Sequence, residues 1–190
     1  MLSQIAILLI KTAFGLFVYV LLLRFYMQLL RAPFRNPVGQ FVAALSDWIV
    51  RPARRAIPGL FGLDLASFLL AWIAEALMLA LLYWLRGFSF AGAPGIAAGV
   101  LFTLAALELL QISLYLLIGV VIIQVIISWV NPHTALAPIF DSLTRPFYAV
   151  FRRFIPAIGN VDLSPLFVLL IAQILLIALD DLSRMVQVPM

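Results

Sequence analysis

Cysteine is absent from this chain of 190 residues. That excludes disulfides, thiol nucleophiles, thiolate zinc or iron–sulfur sites, and thioether attachment of haem through its own side chains. Histidine occurs once, as His133, which leaves no imidazole cluster for a metal. Lysine also occurs once: every basic residue except Lys11 is arginine. Charge of either sign is scarce, 11% of residues, against about 25% in a soluble domain. The sequence contains no P-loop, no dinucleotide fingerprint and no nucleophile–base set, so no catalytic residue and no cofactor is assigned. The expectation is that the chain is not an enzyme.

Apolar residues make up 66% of the chain, and the mean hydropathy is +1.19. Such a composition cannot hide its surface in water. The solvent it expects is lipid. The first apolar run, Ile5 to Leu30, would extend about 39 Å as a helix, enough to cross a core of about 30 Å with some tilt. The second runs from Leu65 to Leu85. The third, Ile96 to Val130, is too long for one upright span and too short for two. Its spanning part is read as about Leu107 to Val130, with residues 96–106 lying at the interface or extending the helix. The fourth covers Leu163 to Leu182. The segment behind Met1 is too long for a signal-peptide core and reads as a retained first span.

An internal repeat organises these spans. Arg54-Arg55-Ala56-Ile57-Pro58 closes on Asp64, and Arg152-Arg153-Phe154-Ile155-Pro156 closes on Asp162, 98 positions later. Each copy lies between two spans. The expected fold is therefore an all-α integral membrane protein with four transmembrane helices, arranged as two parallel two-span repeats over residues 1–88 and 96–190. Each repeat carries an amphipathic or re-entrant helix and an Arg-Arg-x-Ile-Pro loop. In the first loop, Asn36-Pro37 signals a helix start, followed by Phe41, Leu45, Trp48 and Ile49 at helical spacing. In the second, Ile139, Leu143, Phe147 and Val150 form the apolar stripe, with Asp141, Ser142 and Arg145 opposite. Both suit helices lying on or dipping into a leaflet. Pro52 and Pro146 are expected to break or bend them.

Arginine counting sets the expected orientation. Arg31, Arg35, Arg51, Arg54, Arg55, Arg145, Arg152 and Arg153 lie on the motif side, against Arg86 and Arg184 on the other. The positive-inside rule then puts both motif loops in the cytoplasm and both termini outside a bacterial inner membrane. The net charge of +4 follows from this placement and implies no nucleic acid.

Arg51, Arg54, Arg55, Arg145, Arg152 and Arg153 are the candidate contacts for anionic headgroups or acidic partner proteins, since guanidinium forks match phosphate and carboxylate. Asp64 and Asp162 are expected to cap the following spans and to hold their loops through the arginine pairs, with Pro58 and Pro156 stopping the preceding helices. Intramembrane polar residues are Arg24, Gln28, Glu75, Glu108, Gln124 and Ser128. A buried Arg24–Glu75 pair is the natural way to neutralise the first of these, and a Lys11–Glu108 pair would join the halves. Gln124 and Ser128 match Arg24 and Gln28 in the repeat.

These residues resemble the YggT family of small bacterial and plastid membrane proteins. The resemblance rests on Leu22-Leu23-Arg24, Asn36-Pro37, Ser128-Trp129, the two motif loops, and Asp162-Leu163-Ser164-Pro165. Two departures stand out: Ala149-Val150 replaces the Arg-Pro found at Arg51-Pro52, and the first half closes Asp64-Leu65-Ala66-Ser67. The resemblance implies association with membrane-complex biogenesis (including haem attachment in plastids), with cell division or nucleoid organisation, and with osmotic stress tolerance. The reading is a non-enzymatic inner-membrane scaffold or complex-assembly factor, with a homo-oligomer expected because so few spans bury little surface. The alternative is a small channel or transporter with Arg24, Gln28, Glu75, Gln124 and Ser128 along its path. A haem-handling protein using His133 is a third.

Overall fold

The computed structural model describes residues 2–57, 59, 63–88, 94–154 and 162–186. Among them the chain is all helix: α1 (Leu2–Leu29), α2 (Pro37–Ala56), α3 (Leu65–Leu85), α4 (Pro94–Val130), α5 (Ala137–Arg152) and α6 (Ser164–Val186). Four of these, α1, α3, α4 and α6, are long and apolar enough to cross a membrane. In hydrocarbon a helix satisfies every backbone polar group internally, which is why apolar runs of this length take no other form. The chain is a multi-pass membrane protein of two span–short helix–span units.

The third apolar run is one unbroken helix. At 37 residues, α4 extends about 55 Å, so residues 96–106 prolong the span rather than form a separate interfacial element. This extension packs against α3, where Leu104 and Ala105 meet Ala76 and Leu79. The prolines differ from expectation as well. Pro52 and Pro146 lie inside α2 and α5, which continue through them. Both prolines are exposed, so the carbonyls they deprive of donors are on the outer side of each helix.

Helix α1 ends in a Schellman turn. The Arg31 N–H donates to Gln28 O at 3.2 Å and the Ala32 N–H to Met27 O at 2.8 Å, with Arg31 at φ +53°. That left-handed position ordinarily takes glycine. Asn36 then caps α2, its Oδ1 accepting from the Gly39 N–H at 2.8 Å, with Pro37 at the first helical position.

Within each repeat the two spans pack together, α1 on α3 and α4 on α6, while α3 on α4 joins the repeats. Helices α2 and α5 lie at the same end of the bundle. Val42 of α2 shares one core with Ile139, Phe140 and Leu143 of α5, along with Met27 and Val120 from the spans. Their buried faces repeat at the spacing of the motif. Val42, Ser46 and Val50 are buried in α2, and Phe140, Thr144 and Tyr148, each 98 positions on, are buried in α5. The outer faces diverge. Phe41, Leu45 and Trp48 of α2 remain exposed, whereas Ile139 and Leu143 of α5 turn into the bundle. The open side of α4, between α1 and α6, forms an apolar cleft of about 360 Å³ lined by Tyr26, Leu114, Leu117, Phe147 and Leu175.

Candidate functional site

The motif loop of the first repeat is fastened to all three of its helices. Arg54, in the last turn of α2, grips Asp64 as a fork, with Nε 3.1 Å from Oδ1 and Nη2 2.6 Å from Oδ2. Asp64 simultaneously caps α3, accepting from the Ser67 hydroxyl at 2.6 Å and the Ser67 N–H at 3.4 Å. From α1, Gln28 Oε1 accepts from Arg54 Nη2 at 2.9 Å, and Arg24 Nε stands 3.6 Å from Asp64 Oδ2. Arg24 Nη1 donates in addition to Ser46 Oγ at 2.6 Å and Asp47 Oδ1 at 2.7 Å on α2. Arg51 completes the set with an ion pair to Asp47 at 2.6 Å.

Charge-assisted bonds of this density set the protonation states. Burial pushes the Asp64 carboxyl up, but hydrogen bonds from Arg54 and Ser67 outweigh it and hold the group below its ordinary range. Asp47 behaves likewise, with Arg24 and Arg51 overcoming desolvation. The hydrogen bond to Asp64 raises Arg54 above its usual value. All of these groups are charged across the physiological range.

The second repeat builds a lighter version. Arg152 Nε and Nη2 both donate to Asp162 Oδ2, at 2.9 and 2.7 Å, and Asp162 Oδ1 accepts from the Ser164 N–H at 2.9 Å at the start of α6. Desolvation raises the Asp162 carboxyl, but the bonds from Ser164 and Arg152 bring it below its ordinary value. Among the described residues no second arginine reaches it. Gln124 of α4 lies instead with its Oε1 3.5 Å from the Tyr148 hydroxyl. Burial pushes that hydroxyl up to about 12, and Arg152 lies 5.5 Å over the Tyr148 ring. Arg145 pairs with Asp141 at 2.6 Å on the outer side of α5.

The first arginine of each pair is thus engaged and the second is free. Arg55 and Arg153 are exposed and make no ion pair among the described residues, as do Arg31 and Arg35 at the same end. Pro58 and Pro156, expected to lock these loops, lie outside the described residues.

The expected Arg24–Glu75 pair does not form. Arg24 stands level with Asp64, at the start of α3, whereas Glu75 lies about 16 Å further along that helix by helical rise. The last apolar residue of the first run does not measure the depth of Arg24, because α1 continues beyond the level at which α3 begins. No Lys11–Glu108 ion pair forms among the described residues either; Lys11 is exposed. Ser128 is exposed, and Gln124 turns toward α5 while Arg24 and Gln28 turn toward α2 and α3. The structure does not bring Arg24, Gln28, Gln124 and Ser128 together in one cluster. His133 is exposed in the α4–α5 turn, its backbone N–H bonded to Asn131 Oδ1. Sequence reading missed Ser46, Asp47 and Ser67 as partners. The spacing of Asp47 and Arg51, one turn apart, was the available signal for the second of these.

The CCB3/YggT family model matches residues 3–85 and 103–183, one segment per repeat. The chain belongs to the CCB3/YggT family. Among its relatives, the "Uncharacterized protein in proC 3'region" of Vibrio alginolyticus is 37% identical over 83% of this chain and 84% of its own length. "Uncharacterized protein PA0392" of Pseudomonas aeruginosa is 32% identical over 99% of this chain and 95% of its own. "Uncharacterized protein YggT" of Escherichia coli K12 is 32% identical over 88% and 85%. No solved structure matches. The CCB3/YggT matches cover both arginine-gripped carboxylates, Asp64 and Asp162.

Proposed function

We propose that this chain is a non-enzymatic scaffold or complex-assembly factor of the bacterial inner membrane, with its motif end in the cytoplasm. One observation carries the reading: in each repeat the first arginine is tied to a carboxylate and the second is left exposed at the same end of the bundle. The tied arginine fixes the loop, and the free one is a preorganised fork for phosphate or carboxylate. Arg31 adds to the set, held outward by a backbone conformation that costs a non-glycine residue roughly 1–2 kcal/mol. The exposed Phe41, Leu45 and Trp48 seat α2 in the adjoining leaflet. Anionic headgroups and acidic surfaces of partner membrane proteins are the ligands this chemistry suits, and a second copy of the chain is the simplest such partner.

The experiment compares wild type with an Arg55→Gln/Arg153→Gln variant. Each is extracted gently from native membranes, and co-purifying anionic phospholipid and cross-linked proteins are quantified by mass spectrometry. The variant should fold as wild type and lose most of one or both. Equal recovery of lipid and partners from a folded variant would remove the basis of the proposal.

A further inference from the structure

The buried charges of the motif end, Arg24 and Asp64, are paired, but one buried ionisable group between the spans has no such support. Glu75 lies near the middle of α3 and is fully buried. Among the described residues neither carboxyl oxygen has a hydrogen-bond donor. A carboxylate taken from water without donors is the most expensive state this side chain can adopt.

The packing defines what faces it. Leu79 of α3 shares a core with Leu104 and Ala105 of α4, while Ala71 and Ala74 share another with Leu109. Between those contacts Glu75 comes opposite Glu108. Lys11 and Tyr19 of α1 and Tyr115 of α4 are the other titratable groups around this point. Helix α2 also packs on α3, but its charged groups stay with Arg24 and Asp64 at the motif end. The cluster therefore holds two carboxyls walled by apolar helix surface, with one basic group, the exposed Lys11, at its edge.

Two ionised carboxylates facing each other in such a medium repel without screening. Two neutral acids would leave Lys11 unbalanced. With one proton on the pair, the acid of one glutamate donates its O–H to the carboxylate of the other. The single negative charge of the pair then balances Lys11.

We propose that Glu75 and Glu108 form an intramembrane binding site for one exchangeable proton, shared between the two carboxyls where α1, α3 and α4 meet. The site sits on the contact that joins the repeats, so losing the proton places net negative charge between them. It stands apart from the motif-end arginines and does not depend on their role.

Infrared spectroscopy of the full chain in lipid bilayers tests this directly. At neutral pH the protein should show the carbonyl stretch of a protonated carboxylic acid, shifted on exchange into D2O and abolished in the Glu75→Gln/Glu108→Gln variant. In each single variant the remaining carboxyl is left as the counter-charge of Lys11, so the band should fade at neutral pH and return only at lower pH than in wild type, by at least about one unit, because the like charge is gone. Absence of a D2O-sensitive acid band in wild type would overturn the proposal without recourse to any variant. Single variants titrating as wild type would also overturn it, since the carboxyls would then be independent. Loss of the band when choline is replaced by sodium or potassium at constant pH would show the occupant to be an alkali cation instead of a proton.

Discussion

Asp64→Asn is the sharpest perturbation, because asparagine keeps one cap acceptor for Ser67 while it removes the charge and turns the other accepting oxygen into a donor. Asp64 is 2% exposed, and Arg24 beside it is 6% exposed. Removing one partner of a buried ion pair typically costs about 3–5 kcal/mol. Here Asp47 still accepts from Arg24, and the Arg54 side chain, 41% exposed, can turn to solvent and to Gln28. Those escapes bring the expected cost to about 2–3 kcal/mol. In the second repeat the Arg152 and Asp162 side chains are 54% and 35% exposed and no further arginine is stranded. Asp162→Asn should then cost no more than about 1 kcal/mol. The prediction is the difference: about 2 kcal/mol, or roughly thirtyfold in the unfolding equilibrium.

Reversible unfolding by sodium dodecyl sulfate in mixed micelles reads this out, with Trp48 fluorescence as reporter because its ring meets Phe17 across the α1–α2 contact. The pH dependence should follow. The Asp47, Asp64 and Asp162 carboxyls are held below the ordinary 3.8 in the folded chain. Unfolding therefore takes up protons in acid, and the stability these groups give above that pH is lost as pH falls through their folded values. Asp64→Asn should flatten this acid limb more than Asp162→Asn. Equal costs for the two substitutions, or a greater cost for Asp162→Asn, would refute the account of the two loops.

Two further outcomes are expected. Gly39→Ala should lower stability in the same assay by about 1–3 kcal/mol, because a Cβ there would collide with the Phe34 backbone, its Cα only 2.7 Å away. Gly99→Ala, where nothing lies within 4 Å, should not. For orientation, the absence of native cysteine allows single-site labelling: an impermeant maleimide added to spheroplasts should label Gly95→Cys and leave Gln40→Cys untouched. The reverse pattern would put the motif end outside.

The four spans and the twofold plan were readable because the bilayer forbids alternatives: only helices of a certain length satisfy their backbones there. The forks of Arg54 on Asp64 and Arg152 on Asp162 follow from the motif spacing, which places each aspartate at the head of the next span. Depth was not readable. Where an apolar run ends does not say where the neighbouring helix begins, and that register decides whether Arg24 meets Glu75 or Asp64. Nor does an apolar stripe distinguish lipid from protein, since both are equally apolar solvents. Phe41, Leu45 and Trp48 stay outside while Ile139 and Leu143 go in. The residues that dock α2 are instead Gly39, Val42, Ser46 and Val50, one face with two small side chains that let helices approach closely.

The two repeats keep one scaffold and secure it by different means. In α2 the buried positions hold Val42, Ser46 and Val50, which leave room for Arg24 to reach across to Asp47 and Asp64. At the matching positions of α5, Phe140 and Tyr148 fill that room, Gln124 approaches the tyrosine hydroxyl, and Arg152 lies over the tyrosine ring. A buried arginine demands more than one anionic or polar acceptor, so Arg24 and Asp47 come as a set, and the repeat without the first has Arg145 at the position matching the second. The first repeat is therefore sensitive to charge and acid, the second to loss of aromatic volume. Both fastenings have to hold if Arg55 and Arg153 are to face the same partner at once, because each free arginine stands directly beside the bound one.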